Sequence, residues 1–251
     1  MERFLRIDRL IGQEKRETLS EKRVCIVGLG AVGGYALEAL ARSGIGSFTL
    51  VDFDVINLTN INRQILAMDS TIGTSKVDLA RQRILDINPD CRVEALKIFA
   101  HDETMDEIFS SVPDVLVDAI DSMAPKLALL EYAWKRGIPT VSSMGAALHC
   151  DPFSIKRSDL MKSNTCPLAR QIRQKLRRRG VGKGIVCIYS TELIDYEYKD
   201  PEEEENTQRN EQDLDRGRTR KVLGSLPTVT GIFGLQIAHT VLHILLGNPL
   251  K

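Results

Sequence analysis

The chain has 251 residues, of which 43% are hydrophobic and 27% are charged, so it can bury one substantial core. Basic and acidic residues balance at 34 each, so the net charge is zero, and a nucleic-acid partner would have to be met by a local basic surface. The five cysteines, at 25, 91, 150, 166 and 187, are isolated. Their spacing excludes a Cys-x-x-Cys zinc pair and a disulfide framework, and it indicates a reduced cytoplasmic protein.

The N-terminal segment is charged throughout its first turns and lacks the apolar core of a signal peptide, so we expect no secretion by that route. Residues 3–19 predict one or two short helices, with Leu5, Leu10 and Ile11 as buried positions. Taken by itself, Arg9 is an exposed arginine on an amphipathic helix.

A nucleotide-binding turn follows the first predicted strand, residues 23–27. This apolar run leads into the Gly-x-Gly-x-x-Gly pattern of Gly28, Gly30 and Gly33, after which the sequence becomes helical. Gly28 allows a tight reversal, Gly30 lets the backbone approach a phosphate, and Gly33 lets the helix lie close to the sheet. The second predicted strand ends at Asp52, which we expect to bond a ribose hydroxyl.

The residues after this strand change the expected cofactor. The glycine pattern alone favours NAD or FAD, and hydride transfer needs a flat apolar slot for nicotinamide. This segment instead gathers acids, amides and cations, as a site needs when charge builds up on a phosphate. The residues concerned are Asp52, Asp54, Asn60, Arg63, Gln64 and Lys76. Each cation taken singly could equally solvate a loop, but a lysine in the first turn of a helix makes more sense beside an anion.

A second acidic segment, Asp118-Ala-Ile-Asp121, ends a strand predicted at 114–118. In a doubly wound sheet, ligands bind outside the carboxyl ends of the strands, so these acids should face the same crevice as the glycine turn. A carboxylate there suits magnesium, which prefers one or two carboxylates together with phosphate oxygens and water. Asp118 is either a functional acid or a cap of the following helix, and Lys126 could be simply solvated.

Strand and helix patterns alternate as far as Ser142, which predicts an α/β fold with a Rossmann-like, doubly wound, mostly parallel sheet and helices on both faces. Further helices are expected at 31–43, 74–87, 103–109 and 124–136, and further strands at 92–98, 138–142, 153–157 and 184–190. The last two strands should extend the sheet in the C-terminal part. We expect one domain over 1–251, with a nucleotide-binding half at about 20–150 and a substrate-side portion at 151–251.

Three C-terminal segments have unusual compositions. A run of seven basic residues without an acid would suit contacts with an RNA backbone, although most such runs are solvated faces. Its members are Arg170, Arg173, Lys175, Arg177, Arg178, Arg179 and Lys183. Polar residues dominate 195–220 and predict a mobile surface insertion. The apolar helix predicted at 228–246 approaches the length of a membrane span, but its glutamine and two histidines favour burial on the sheet over peripheral membrane contact.

The ordered motifs resemble those of the E1-like activating enzymes of the ThiF type. The resemblance covers about Arg9 to Ser142 and rests on the Arg9 segment, the glycine turn, Asp52-Phe-Asp54, Asn60-x-x-Arg63-Gln64, Lys76 and Asp118-Ala-Ile-Asp121. Within that family, the likeness is strongest to the bacterial branch that cyclises the threonylcarbamoyl group on adenosine in transfer RNA. The segments that carry this likeness are 39–46, 87–93, 118–122, 125–126, 184–192 and 230–234.

The resemblance implies ATP and Mg²⁺ as cofactors. It implies that the backbone of 28–33 cradles phosphate and that Asp52 holds the ribose. The phosphates would be surrounded by Asn60, Arg63, Gln64 and Lys76, while Asp121 would hold Mg²⁺. Arg9 would reach the site from the partner of a homodimer, with Arg3 and Arg6 as competing positions for that role.

The implied reaction is attack of the threonyl carboxylate on the α-phosphorus of ATP, with release of pyrophosphate. A nitrogen of the same group then closes a five-membered ring and releases AMP, so no enzyme nucleophile is required. Catalysis would consist of positioning and neutralisation of phosphate charge. Transfer RNA bearing threonylcarbamoyladenosine is the implied substrate, and a cysteine desulfurase or sulfur acceptor is a further partner implied by the family.

Two other functions stay open. One is activation of the C-terminus of a small ubiquitin-like or sulfur-carrier protein, although many such activators carry Cys-x-x-Cys zinc pairs that this chain lacks. Larger members use a catalytic cysteine, for which Cys166 is the candidate in the loop region, whereas an isolated cysteine usually behaves as a small hydrophobe. The other is a non-catalytic nucleotide-binding protein.

Overall fold

The computed structural model describes residues 2–194 and 223–247. One seven-stranded sheet has the order β3-β2-β1-β4-β5-β7-β6. Its strands are β1 Arg23–Val27, β2 Ser47–Val51, β3 Arg92–Leu96, β4 Val115–Asp118, β5 Thr140–Ser143, β6 Ile155–Asp159 and β7 Ile185–Ser190. Every neighbouring pair is parallel except β6 with β7, which is antiparallel. The predicted doubly wound sheet with C-terminal extension is therefore confirmed.

Eight α-helices accompany the sheet in the described part of the chain. They are α1 Leu5–Ile11, α2 Gln13–Glu21, α3 Gly33–Arg42, α4 Lys76–Ile87, α5 Met105–Ile108, α6 Met123–Lys135, α7 Pro167–Arg178 and α8 Pro227–Leu245. Most bounds agree with the sequence pattern within a few residues. The helix expected at 103–109 is shorter, because its first turn, Asp102–Thr104, is a 3₁₀-helix. The insertion expected at 195–220 lies outside the described residues.

Both faces of the sheet are buried. Along β1, Val24 and Ile26 belong to a core that includes α3 and α8, while Cys25 and Val27 belong to a second core that includes α5 and α6. Successive side chains of a strand point to opposite faces, so this division follows directly from the pleat. A third core joins α6, α7 and β7. Helices on both faces leave the strand ends as the open edge for a ligand.

The apolar helix α8 is a core helix of this fold. It packs against α3 and the middle strands, and Phe233, Ile237 and Val241 are fully buried. Its length and composition would also permit a membrane span, but half of the 18-residue apolar stretch concerned is buried inside the protein. A Cβ at Gly234 would lie 2.4 Å from the carbonyl oxygen of Val32, at the start of α3. Helix α8 therefore packs closely against the start of α3, the helix that follows the glycine turn.

The expected burial of Leu5 and Leu10 is wrong, whereas Ile11 packs against the core and is partly buried. Leu5 and Leu10 are 45% and 70% exposed, and Ile11 is only partly buried. The segment forms two short helices separated by Gly12, which has φ of +89°, so the apolar face does not continue from one helix to the next. Phe4 and Leu19 provide the buried contacts instead, and the Phe4 ring packs over Gly44.

The close contact at Gly234 predicts a stability effect. Replacing Gly234 with Ala forces α8 away from α3, because the new methyl group would also lie 2.7 Å from Cβ of Tyr35. We expect a loss of about 1–3 kcal/mol in the free energy of unfolding, as for other overpacked cores. Denaturant unfolding measures this loss. The control is Gly224→Ala, since an added Cβ at Gly224 meets nothing within 4 Å; equal stability of the two variants would contradict the packing argument.

Candidate active site

The glycine turn joins the carboxyl end of β1 to the start of α3. Gly28 has φ of +93°, a conformation that favours glycine. A Cβ at Gly33 would lie 1.8 Å from the Gly28 carbonyl oxygen, so only glycine lets the helix approach the turn this closely. At Gly30 an added Cβ would meet only Gln64 Nε2, at 3.8 Å. No described side chain caps the first turn of α3, and Gly34 N donates to Gly30 O at 3.0 Å; the other N–H groups at this helix start are suited to an anion.

Asp52 directly follows β2 and is hydrogen-bonded to the backbone of this turn. Its Oδ2 accepts a hydrogen bond from Leu29 N at 2.7 Å, and its Oδ1 accepts one from Asp54 N at 2.9 Å. Burial raises the pKa of Asp52, while the charge of Lys76 and these two N–H groups act in the opposite direction. The carboxylate is thus already engaged by the backbone, and each oxygen keeps a second lone pair for a ligand hydroxyl.

A short antiparallel bridge between Val55 and Ser75 brings the polar segment after Asp52 against the start of α4. As a result, Lys76 is 4% exposed and its Nζ lies 2.7 Å from Asp54 Oδ2. The anion expected beside Lys76 is therefore present within the chain itself. Asp54 remains 44% exposed, so the lysine is held at a solvent-facing carboxylate and can also meet an anionic ligand.

The next polar residues form a compact turn beside the glycines. Asn60 and Gln64 are 8% and 7% exposed, and Asn60 Oδ1 accepts a hydrogen bond from Asn57 N at 3.2 Å. The buried Oε1 of Gln64 has no hydrogen-bond partner among the described residues, which suits a donor from a ligand. Arg63 uses Nη1 to bond Thr59 O and Asn62 Oδ1, and its remaining N–H groups can donate elsewhere.

Asp118 and Lys126 form a fully buried ion pair, which contradicts a solvated Lys126 and a capping role for Asp118. Lys126 is 0% exposed rather than solvated, and its Nζ lies 2.7 Å from Asp118 Oδ2. Asp118 does not cap α6; it accepts hydrogen bonds from Ser142 Oγ at 2.6 Å and from Ile120 N at 3.1 Å. Asp118 is itself 0% exposed, so its carboxylate does not face solvent.

Two further predicted residues lie on the surface. Asp121 is exposed, three residues beyond the end of β4, at the same edge of the sheet as the glycine turn. Arg9 is exposed on α1, and its side chain makes no hydrogen bond or ion pair with another described residue. Arg3, a competing position, is occupied by a hydrogen bond to Ile87 O at 2.6 Å. Within residues 2–194 and 223–247, Arg9 is thus left available to another molecule.

Sequence reasoning missed Lys126 and Ser142. One signal was present for the lysine: Leu129, Leu130 and Ala133 follow it at helical spacing, so it shares a face with buried apolar residues. A lysine on such a face is buried only if an anion meets it there. No sequence signal identifies Ser142, because its contact with Asp118 spans two neighbouring strands.

The basic run divides into engaged and available residues. Arg173 donates to Ser163 O and Oγ at 2.7 Å, and Arg179 pairs with Glu131 at 2.8 Å. Buried Ala169, Ile172 and Leu176 fix the inner face of α7. Five basic side chains are exposed without an ion pair to a described residue: Arg170, Lys175, Arg177, Arg178 and Lys183. They form the exposed basic surface, which we define by these five residues.

The described cysteines offer little nucleophilic chemistry. Cys166 is 4% exposed and packs in the third core with Ile172 and Leu176. Burial raises the pKa of Cys25, Cys91 and Cys187 to about 12, so these thiols stay protonated. Cys150 alone among the five is exposed.

Comparisons with known proteins agree with this geometry. The sequence profile of the ThiF family matches residues 3–251. The tRNA threonylcarbamoyladenosine dehydratase of Bacillus subtilis (strain 168) is 45% identical over 192 residues, covering 76% of each chain. Two crystal structures of E. coli tRNA N6-threonylcarbamoyladenosine dehydratase, TcdA, are 34% identical to this chain and cover 98% of it and 94% of the E. coli chain. The complex with ATP has a TM-score of 0.85 and the complex with AMP one of 0.84.

The expected resemblance to the E1-like activating enzymes is therefore confirmed by the match along nearly the whole chain and by the near-complete structural coverage. The uncapped glycine turn, the lysine beside Asp54 and the acids at the strand ends occupy one edge of a sheet with this family's fold. We conclude that the chain belongs to the ThiF family.

Proposed function

We propose that this protein is an ATP-dependent dehydratase that adenylates the threonyl carboxylate of N6-threonylcarbamoyladenosine in transfer RNA and promotes its cyclisation. The observation that carries the proposal is the structural match, at 34% identity over 98% of the chain, to an E. coli dehydratase bound to ATP. The whole chain, residues 1–251, acts as one adenylating domain in this proposal.

The phosphates of ATP lie at the uncapped start of α3. Gly28 N and Leu29 N are engaged by Val51 O and Asp52 Oδ2, so the other N–H groups of 28–33 bind the phosphate. Lys76 with Arg63 neutralises the charge that develops at the α-phosphorus. Asp52 suits the ribose hydroxyls, since it is an acceptor beside the glycine turn. Gln64 lies at the phosphates, because its Nε2 is 3.8 Å from the place where a Cβ of Gly30 would stand. Asn60 shapes the turn that places Gln64, and Asp54 holds the lysine in position.

Mg²⁺ would be held by Asp121, which is exposed at the edge of the sheet that carries the glycine turn. The described residues contain no cluster of three or more His, Cys, Asp or Glu side chains that could hold a metal. The other ligands would therefore have to be phosphate oxygens and water, which magnesium accepts beside one or two carboxylates. When bound, Mg²⁺ would stabilise negative charge on the phosphate oxygens.

Arg9 completes the site of a partner subunit in a homodimer. Its exposure on α1, beside exposed Leu10, supports this role, because the side chain has no partner in its own described chain. A guanidinium is suited to phosphate through its planar array of donors.

The reaction consists of two displacements. The threonyl carboxylate attacks the α-phosphorus and pyrophosphate leaves; a nitrogen of the same group then attacks the acyl carbon, AMP leaves, and the nitrogen loses its proton. The enzyme contributes orientation and charge stabilisation. The buried state of Cys166 agrees with a route that needs no thioester.

We place the enzyme in the cytoplasm with its RNA substrate, and docking of a sulfur-transfer partner is a further expectation from the family.

The function is tested by pyrophosphate release from ATP and Mg²⁺ with and without transfer RNA that bears threonylcarbamoyladenosine. We expect release only with the modified RNA, together with a loss of about 18 mass units in the nucleoside, since ring closure eliminates one water. Unmodified transfer RNA is the control. Stimulation by a small carrier protein instead would make the protein an activator of that carrier, and ATP binding without any turnover would make it a non-catalytic nucleotide-binding protein.

Lys76 and Arg9 are tested together by subunit complementation. Lys76→Met should lower kcat about 10²–10³-fold, because a preorganised cation at the phosphates is lost. Asp54 is solvent-exposed, so the fold should survive. Lys22→Met is the matched control, since Lys22 pairs with Asp114 at 3.2 Å at the amino end of the sheet.

Arg9→Ala should be similarly inactive, but mixing it with Lys76→Met should restore activity in mixed dimers. One site of each mixed dimer then receives both native residues, so equal mixing should recover about a quarter of wild-type activity if subunits exchange freely. A mixture as inactive as its two components would show that Arg9 does not act across a dimer.

The exposed basic surface is tested by replacing Arg170, Lys175 and Arg177 with Gln. We expect a higher KM for transfer RNA and a salt dependence weaker by about 0.7–0.9 in logarithmic slope for each RNA phosphate that the variant no longer binds. The kcat at saturating RNA should stay near the wild-type value. The control carries the same change at exposed Lys15, Arg81 and Arg92. Equal KM values for the two triple variants would remove this surface from RNA binding.

A further inference from the structure

The buried pair of Asp118 and Lys126 lies next to the proposed site but does not face solvent. Both side chains are 0% exposed. Burying two charges costs desolvation energy, and replacement of such a pair with apolar residues is often neutral or stabilising. A contribution to the free energy of unfolding is therefore a weak explanation for the presence of this ion pair. Its other contacts indicate a different role.

The pair binds both polar groups of one residue in the loop after β4. Ile120 N donates to Asp118 Oδ1 at 3.1 Å, and Ile120 O accepts from Lys126 Nζ at 2.9 Å. Ser142 Oγ holds the other oxygen of Asp118 from the neighbouring strand β5. The main chain at Ile120 is thus held by two ionised side chains, and hydrogen bonds to charged groups are the strongest of this kind.

The main chain around Ile120 contacts both parts of the proposed site. On one side, Ala119 N donates to Val27 O at 2.9 Å, and a Cβ at Gly28 would lie 2.7 Å from Ala119 O, so the loop lies directly against the glycine turn. On the other side, the next residue is Asp121. A shift of the main chain at Ile120 would move the carboxylate of Asp121. It would also remove the backbone contact between Ala119 and the glycine turn.

We propose that Asp118 and Lys126 are positioning residues, which fix the Ile120 peptide and so hold Asp121 and the glycine turn in their mutual arrangement. The inference rests on the proposed function for its effect on turnover, but its effect on the loop is independent of the reaction. Neither residue contacts the substrate. They act through the main chain of 119–121, and Ser142 orients Asp118 within the pair.

The test uses Asp118→Asn with Lys126→Met in the full chain, a neutral pair of similar volume that leaves no unpaired buried charge. Ser142→Ala is a second, milder variant, which removes one hydrogen bond without changing charge. The control is Asp114→Asn with Lys22→Met, which removes an ion pair at the opposite end of the same strand. All measurements are made well below the unfolding midpoint of each variant.

Hydrogen exchange of residues 119–122 is the first measurement. The site variant should exchange at least about 10-fold faster there than wild type, because the charged partners of the Ile120 peptide are gone. The control should match wild type in this segment. Unchanged exchange in the site variant would overturn the positioning role, whatever the protein's reaction. Ser142→Ala should show a smaller increase in the same segment.

Steady-state kinetics is the second measurement. A displaced Asp121 should lower kcat about 10–100-fold, as misplacement of about 1 Å does, while the KM for ATP changes less than about 3-fold. A variant that is less stable but keeps wild-type kcat would assign the pair a structural role only. Absence of RNA-dependent turnover in the wild type would overturn the proposed function, and the exchange result would still decide whether the pair fixes the loop.

Discussion

The site depends on a place where three backbone segments approach too closely for any side chain. Gly33 packs on the carbonyl of Gly28, and the carbonyl of Ala119 fills the space where a Cβ of residue 28 would stand. Because these contacts join the ends of β1 and β4 to the start of α3, they set the shape of the phosphate turn. Helix α8 adds a fourth close approach at Gly234, behind the same helix.

Around this turn, the acids divide into those that hold backbone and those that face solvent. Asp52 and Asp118 are buried and accept backbone N–H groups from the loops that follow their strands or lie beside them. Asp54 and Asp121 are more exposed and lie beyond the carboxyl ends of their strands. A buried carboxylate is retained only when it is paired or hydrogen-bonded, so the first group gives rigidity and the second is suited to ligands.

The cations follow the same division. Lys126 is completely buried and bonds a main-chain carbonyl as well as its acid, whereas Lys76 is held by an acid that solvent still reaches. Adenylation requires mainly that the protein provide charges and backbone dipoles in fixed positions. The described residues supply both at one edge of the sheet, while four of the five thiols are buried.

Local patterns in the sequence were sufficient to predict the parallel sheet and the position of the glycine turn, because strand composition, glycine spacing and helix periodicity are short-range properties. The ligand-binding roles of the polar residues from Asp52 to Lys76 stay predictions. Tertiary structure decided which side chains are buried. It buried Lys126 beneath the loop after β4, exposed Leu5 and Leu10 where Gly12 interrupts the helix, and engaged Arg173 and Arg179 with neighbouring segments. These outcomes depend on contacts between residues distant along the chain, which no local pattern records.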